Sequence, residues 1–238
     1  MTEVVLKILN MEQVPGPYVD ERLTGACVYC GGPPPLTRDH VPPKAFLDEP
    51  YPENLPVVEC CRECNEGASL DEEYVSCLLE VAATGSAQPS GVQRPKIRRK
   101  LAESPALSRR LAESLGDGIV VAETSRVRRI VEKMGRALWS FEIGEPTFGM
   151  DARVTMSPIS SLTAETLDSF MAVRQPHILP EVGSRAMFRT LVLDGAAAEH
   201  TWLNVQDGRF EYVVEWTGSP VGVKMIVRDY LAAQVELE

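Results

Sequence analysis

The chain has 238 residues, of which 44% are hydrophobic, so it exceeds one average domain and can bury a sizeable core. Its net charge of -10 argues at first against nucleic acid, because affinity for a polyanion comes largely from lysine and arginine. It lacks both a long apolar run and the layout of a signal peptide, so we expect a cytoplasmic protein without a membrane partner.

The charge is distributed unevenly along the chain. Residues 1–93 carry five basic and fifteen acidic side chains, and residues 137–238 carry seven and fourteen. Residues 94–136 carry twelve basic and five acidic side chains, a local net charge of +7. The positive charge is therefore concentrated in one segment that follows an acidic N-terminal region.

The first predicted elements are an arm and a short strand. An apolar alternation at Val4–Leu9 indicates an arm or edge strand. After the knuckle Cys27-Val-Tyr-Cys30, residues Leu36–His40 are typical of a strand that ends at the prolines following Val41. Asp39 and His40 are thus placed at the end of a strand, beside a loop.

A second strand and a helix are predicted next. The segment Asn54–Glu59 reads as a strand that pairs with the first across a wide loop. A second knuckle, Cys61-Arg-Glu-Cys64, begins a helix, and Ser69–Glu72 matches a capping box for a helical run through about Ala83.

The two Cys-x-x-Cys knuckles lie about thirty residues apart. Four thiolates with this spacing can close a tetrahedral site, so we predict a structural Zn²⁺ held by Cys27, Cys30, Cys61 and Cys64. Cys61 is chosen because it alone has the two-residue spacing to Cys64. The remaining Cys60 and Cys77 are predicted to be small buried hydrophobes.

The rest of the chain predicts a second unit of helices and strands. Thr84–Gln93 reads as a linker, and helical spacing occurs at Ile97–Leu115, with an interruption at Pro105, at Ser125–Phe141 and at residues 163–174. Alternating patterns predict four strands, with an Asp207-Gly208 turn among them: Phe188–Leu193, Thr201–Gln206, Phe210–Trp216 and Val221–Val227.

These elements predict an α+β protein with two units. Residues 1–84 are expected to form a small zinc-braced ββα-metal domain, with its core at residues 27–74. Residues 94–238 are expected to form an α+β domain with an antiparallel sheet and a regulatory or DNA-binding role.

The motifs Cys-x-x-Cys-Gly, Asp-His-Val-Pro-Pro-Lys, Asn-Leu and Cys-x-x-Cys-Asn follow one another between residues 27 and 74. In this order they resemble the His-Asn-His (HNH) endonucleases with a ββα-metal core, in the subset braced by a four-cysteine zinc. The resemblance implies that His40 is the first His of the motif and Asn54 its middle Asn. Asn65 stands where the third His usually is.

These residue types suit phosphodiester hydrolysis, which needs an activated water and a cation. The oxygens of Asp39 and Asn65 are hard ligands for a catalytic Mg²⁺ or Mn²⁺. His40 is available as a neutral general base, and Asn54 is assigned to hold the loop and the His40 ring by hydrogen bonds. The predicted function is a metal-dependent endonuclease that hydrolyses DNA.

The basic segment is the predicted substrate-binding surface, through Arg98, Arg99, Lys100, Arg109 and Arg110. A solvated helix face is the alternative interpretation of this segment. For the whole protein, the alternative is a noncatalytic zinc-binding adaptor that contacts nucleic acid or protein. Nucleic acid, with DNA favoured, is the expected partner, and a homodimer is one assembly compatible with the sequence.

Overall fold

A computed structural model describes residues 25–115, 124–190 and 200–238 of the chain. The chain adopts an α+β fold, as predicted, with a two-stranded sheet near the cysteines and a five-stranded antiparallel sheet. The predicted arm at Val4–Leu9 lies outside the described residues. Within the described ranges, no helix combines the length and apolar character needed to cross a membrane.

A strand hairpin followed by helices surrounds the cysteines. Strand β1 (Leu36–His40) pairs antiparallel with β2 (Val57–Cys61), and helices α1 (Arg62–Glu66) and α2 (Ser69–Thr84) follow directly. The predicted first strand is confirmed. The second begins later than predicted, directly after Pro56, because a proline has no N–H to donate to a ladder.

The predicted capping box at the start of α2 is wrong, although the extent of the helix is confirmed. Ala68 occupies the N-cap position and Ser69 is already helical, with its hydroxyl donating to the Glu66 carbonyl oxygen at 2.7 Å. The helix ends at Gly85, whose φ of 65° is the left-handed conformation that glycine adopts without steric cost.

The remaining helices are α3 (Pro95–Glu103), α4 (Pro105–Ser114), α5 (Thr124–Ile143), α6 (Ala164–Met171) and α7 (Arg185–Thr190). Pro105 begins α4, which confirms the predicted interruption, since a proline is tolerated in a first helical turn but not in a helix interior. The strand predicted from Phe188 is wrong at residues 188–190, which are helical. Residues 191–193 of that prediction lie outside the described ranges.

The larger sheet contains β3 (Ala152–Pro158), β4 (Leu203–Gln206), β5 (Phe210–Glu215), β6 (Val221–Val227) and β7 (Leu231–Leu237). Its strand order is β3-β7-β6-β5-β4, so the last four strands form a meander, of which β4, β5 and β6 were predicted. The predicted turn between β4 and β5 is confirmed, with Gly208 at φ 62°. Strands β3 and β7 were not predicted.

Helix α5 joins the segment that contains the four predicted zinc ligands (residues 27–84, here called the zinc region) to this sheet. It packs against α2 and β2 on one side and against β3, β5, β6 and β7 on the other. Gly135 permits the close approach to the sheet, because a Cβ at this position would lie 2.5 Å from Cγ2 of Val235. One continuous buried cluster includes residues of both predicted units. The two-unit division at residues 84–94 stays a prediction.

A second connection anchors the loop between β1 and β2. The Asp48 carboxylate pairs with three arginines from other parts of the chain: Arg94 at 2.9 Å, Arg209 at 2.5 Å and Arg228 at 3.4 Å. The Gln206 side chain accepts from the Asp48 amide and donates to its carbonyl oxygen, both at 2.8 Å. The loop that follows His40 is therefore held by the β4–β5 and β6–β7 ends of the larger sheet.

We expect Asp48→Asn to lower the free energy of unfolding by about 2 kcal/mol at pH 7, because hydrogen bonds to charged groups are worth about 1.5–3 kcal/mol. Burial opposes ionisation of Asp48, but the three arginines outweigh it and lower its pKa. The stabilisation is therefore present above the unfolded-state pKa and is lost as the pH falls through the native one. Urea unfolding of both proteins across pH 2–7 measures this.

Glu49→Gln is the matched control, since this neighbouring carboxylate is mostly exposed and makes its contacts at the surface, with Lys96 at 3.7 Å and the Tyr51 hydroxyl at 3.1 Å. Its unfolding free energy should stay within about 0.5 kcal/mol of the wild type. An Asp48→Asn protein as stable at pH 7 as this control would show that the arginines do not fix the loop.

Candidate zinc centre and catalytic residues

The four predicted zinc ligands come together. The Sγ atoms of Cys27, Cys30, Cys61 and Cys64 all lie within 4.8 Å of one another. The Cys30 and Cys61 sulfurs are 3.8 Å apart, and a tetrahedral zinc with bonds of about 2.3 Å separates its sulfurs by about that distance. The donor set and spacing fit a structural zinc ion.

Backbone amides are directed at these sulfurs in both knuckles. Gly32 N–H donates to Cys30 Sγ, and Cys64 N–H donates to Cys61 Sγ, both at 3.4 Å. Burial opposes ionisation of Cys27, but backbone hydrogen bonds, that of Cys61 the largest, lower its pKa to about 7. Burial and the neighbouring thiols raise the pKa of Cys64. A doubly charged cation bound to the four sulfurs would offset the repulsion between neighbouring thiolates.

The two cysteines outside the cluster are buried, as predicted. Cys60 and Cys77 have no exposed surface, and burial raises the pKa of each thiol to about 11. They behave as small apolar side chains, which leaves Cys27, Cys30, Cys61 and Cys64 as the set that could hold a metal ion. Among the described residues, no other group of three or more His, Cys, Asp or Glu side chains is arranged to hold a metal.

Asp39 is buried and paired at the end of β1. Its Oδ2 accepts a hydrogen bond from the Tyr29 hydroxyl at 2.8 Å and lies 2.9 Å from the Lys133 ammonium of α5. Lys133 also contacts the Glu72 carboxylate at 2.8 Å. Asp39 is therefore neutralised in this structure by a cation from outside the ββα element.

His40 lies beside Asp39 in a narrow recess. The recess is closed by Ile130, Lys133 and Met134 of α5, and it has no space for a water-sized sphere. Burial lowers the pKa of His40 and nearby Lys44 lowers it further, against an opposing effect of Asp39. The imidazole is therefore neutral and able to accept a proton at neutral pH.

The two asparagines have different surroundings. Asn65 in α1 donates from Nδ2 to the Thr37 hydroxyl at 3.0 Å and to the Arg38 carbonyl oxygen at 3.4 Å. Thr37 and Asp39 share one face of β1 because alternate strand residues point the same way, so Asn65 and Asp39 approach the same face. Asn54 lies in the turn before β2, and its side chain makes no hydrogen bond to His40 in this structure.

Much of the basic segment is used inside the molecule. Arg126 contacts Asp71 at 2.6 Å, Arg129 pairs with the same carboxylate, and Lys100 contacts Glu73 at 2.8 Å. The acidic partners all lie at the start of α2. The charge segregation seen in the sequence therefore has an internal use, because it fastens α3 and α5 to the zinc region.

The predicted substrate-binding residues lie on α3 and α4. Arg98 donates to a backbone carbonyl before α3 at 2.9 Å, while Arg99, Arg109 and Arg110 are exposed. The principal contacts of α3 are with α2, α4 and a short turn preceding α3. The helix that lies next to Asp39 and His40 is α5, and the substrate-binding role of Arg98, Arg99 and Lys100 stays a prediction.

Two residues at this site were not singled out from the sequence. Tyr29 lies between the ligands Cys27 and Cys30, so the zinc knuckle positions its hydroxyl at Asp39. The placement of Tyr29 inside a knuckle is a usable signal. The sequence contains no comparable signal for Lys133, because it is one of many cations in an amphipathic helix and its partner Asp39 is 94 positions away.

The chain was compared with protein-family models, curated proteins and solved structures, and none of them matches it.

Proposed function

We propose that the protein is a metal-dependent endonuclease that hydrolyses DNA. The observation that carries the proposal is the position of Asp39-His40 at the end of a hairpin strand, in a hairpin tied by four cysteines to a helix bearing Asn65. Zinc accounts for the cysteines alone. The remaining Asp, His and Asn side chains are those that metal-assisted phosphodiester hydrolysis requires.

The proposed roles follow from the free atoms of these side chains. His40 is the general base, because its ring makes no hydrogen bond with the described residues and stands beside Asp39. Asp39 and Asn65 are the oxygen ligands of a divalent cation, with Asn65 using Oδ1 because Nδ2 already donates to Thr37. Such a cation, Mg²⁺ or Mn²⁺, supplies positive charge for the phosphorane and the leaving oxygen.

The test is incubation of the zinc-loaded protein with supercoiled plasmid, single-stranded DNA and RNA. Each substrate is tested with Mg²⁺, with Mn²⁺ and with a chelator that is too weak to remove the structural zinc. We expect cleavage of DNA only when Mg²⁺ or Mn²⁺ is present. Intact substrates under every condition would contradict the proposal, and cleavage of RNA alone would reassign the substrate.

The second candidate is a noncatalytic zinc-binding adaptor. The observation that favours it is the Asp39–Lys133 ion pair, which neutralises the carboxylate that a catalytic cation needs. An adaptor binds its partner without any requirement for Mg²⁺ or Mn²⁺. The same cleavage panel separates the two functions, since an adaptor leaves every substrate intact while retaining one zinc ion.

The exposed arginines of α3 and α4 are proposed to contact DNA phosphates. We expect Arg99→Gln combined with Arg109→Gln to weaken binding to all DNA sequences alike and to lower the slope of log affinity against log salt by about 1–2. The reason is that each phosphate contact releases counterions without reading the sequence. Titration of both proteins at several salt concentrations measures the slope.

Arg153→Gln is the control for this experiment, because Arg153 is an exposed arginine on the edge strand β3 that pairs with Glu236. Its slope should equal that of the wild type. If the double variant also keeps the wild-type slope, α3 and α4 carry an ordinary solvated face and DNA is held elsewhere.

A further inference from the structure

We propose that Lys133 is an internal cation that occupies the divalent-metal position at Asp39 and must leave it before cleavage. The inference rests on the proposed nuclease function and adds control of its metal site by a helix outside the ββα element. The resting site is then closed, and a divalent cation opens it by displacing the ammonium.

The geometry places the ammonium where a metal ion is needed. Nζ of Lys133 lies between Oδ2 of Asp39 at 2.9 Å and Oε1 of Glu72 at 2.8 Å. The exposed fractions of the Asp39, Lys133 and Glu72 side chains are 8%, 11% and 19%. A metal ion bound to Oδ2 and an ammonium at hydrogen-bond distance from it repel each other at short range, so the two cations compete for this buried oxygen.

The surroundings hold the lysine in place. Its ammonium contacts two carboxylates at once, those of Asp39 and Glu72, so neither contact alone fixes its position. Helix α5 is also fastened to α2 by the pairing of Arg126 and Arg129 with Asp71. The position of Lys133 at Asp39 is therefore fixed by the attachment of α5 to α2.

Displacement is nevertheless within reach of a divalent cation. A metal ion brings twice the charge of an ammonium to the same carboxylate, and a lysine side chain can rotate away without movement of its helix. A substrate phosphate near the site is an alternative partner for the released ammonium. Metal and nucleic acid together therefore favour the open arrangement more than either does alone.

The test is the affinity for Mn²⁺, measured by titration of the zinc-loaded protein without nucleic acid. We expect Lys133→Met to bind Mn²⁺ about tenfold more tightly than the wild type, because methionine keeps an apolar stem and removes the competing charge. A purely structural role for Lys133 predicts the reverse, since disturbing α5 weakens every neighbouring site. Unchanged or weaker Mn²⁺ binding by folded Lys133→Met overturns the inference.

Two further variants keep the experiment decisive. Lys224→Met is the matched control, because the Lys224 side chain has the same 11% exposure as Lys133 and also pairs with a buried carboxylate, that of Glu215 at 3.2 Å in the five-stranded sheet, so it should leave the Mn²⁺ affinity unchanged. Asp39→Asn should abolish Mn²⁺ binding in both the wild-type and the Lys133→Met background. If Lys133→Met does not fold, Lys133→Gln is titrated in its place with the same expectation.

The outcomes also separate this inference from the proposed function. If the wild type cleaves DNA and Lys133→Met shows no gain in affinity, the inference falls and the nuclease function stands. If neither protein binds Mn²⁺ at Asp39 or cleaves any substrate, both fall together.

Discussion

Replacing Cys64 with serine is expected to release the zinc ion and to unfold the region around the hairpin. Structural zinc contributes on the order of 10 kcal/mol to folding, which equals or exceeds the whole stability of a typical domain. The hairpin has no third strand to replace this contribution, since β1 and β2 form a sheet of only two strands. Metal analysis should show the loss of one zinc equivalent per chain, and circular dichroism should show loss of structure.

The effect should extend beyond the hairpin, because α5 packs on both the zinc region and the five-stranded sheet. Cys77→Ala is the matched control, since Cys77 is a buried cysteine outside the cluster. It should keep one zinc equivalent and lose only the stability that goes with a small core cavity. Full zinc occupancy in folded Cys64→Ser would reject the assigned ligand set.

Replacing His40 with alanine is expected to lower the rate of DNA cleavage by about 10²-fold to 10⁴-fold, the usual contribution of a general base. His40 is not a zinc ligand, so zinc content, fold and DNA affinity should stay as in the wild type. Single-turnover cleavage of plasmid at saturating metal measures the loss, because it separates the chemical step from binding.

His177→Ala serves as the control, since His177 is an exposed histidine between α6 and α7, and this variant should cleave at the wild-type rate. Asp39→Ala and Asn65→Ala are expected to resemble His40→Ala if they hold the catalytic cation. Undiminished cleavage by the His40 variant would move the catalytic site elsewhere in the chain.

Local signals in the sequence predicted the parts of the fold that depend on local chemistry. The spacing of Cys61 and Cys64 identified the correct cysteine of an adjacent pair, and Pro105 marked the break between two helices. Both features act within a few residues. The meander β4–β7 was recognised in part through the Asp207-Gly208 turn, which fixes a hairpin by backbone geometry alone.

The missed elements are those whose local preference is weak or is overruled by packing. Strand β7 contains Ala232, Ala233 and Glu236, which do not favour strands, and it is held by pairing with β3 and β6. Helix α7 was wrongly predicted to be a strand at its C-terminal end. Phe188 suggested a strand, while the preceding Arg-Ala-Met favours a helix.

The site itself was predicted only in its sequence-local part. The sequence placed Asp39 and His40 at a strand end, and the structure confirms that position. The pairing of Asp39 with Lys133 is a long-range contact, which no spacing rule reports. The same is true of the basic segment. Its positive charge could be counted from the sequence, but its long-range pairing with Asp71 and Glu73 could not be predicted.

Anomalous diffraction from crystals grown with Mn²⁺ would show whether Asp39 and Asn65 bind a catalytic metal ion, because the zinc and manganese absorption edges locate each metal separately. We expect zinc at the four cysteines and manganese bound to Asp39 and to Oδ1 of Asn65, with the Lys133 ammonium moved away from Oδ2. Zinc at the cysteines with no manganese at Asp39, and with Lys133 still in its ion pair, would contradict this expectation.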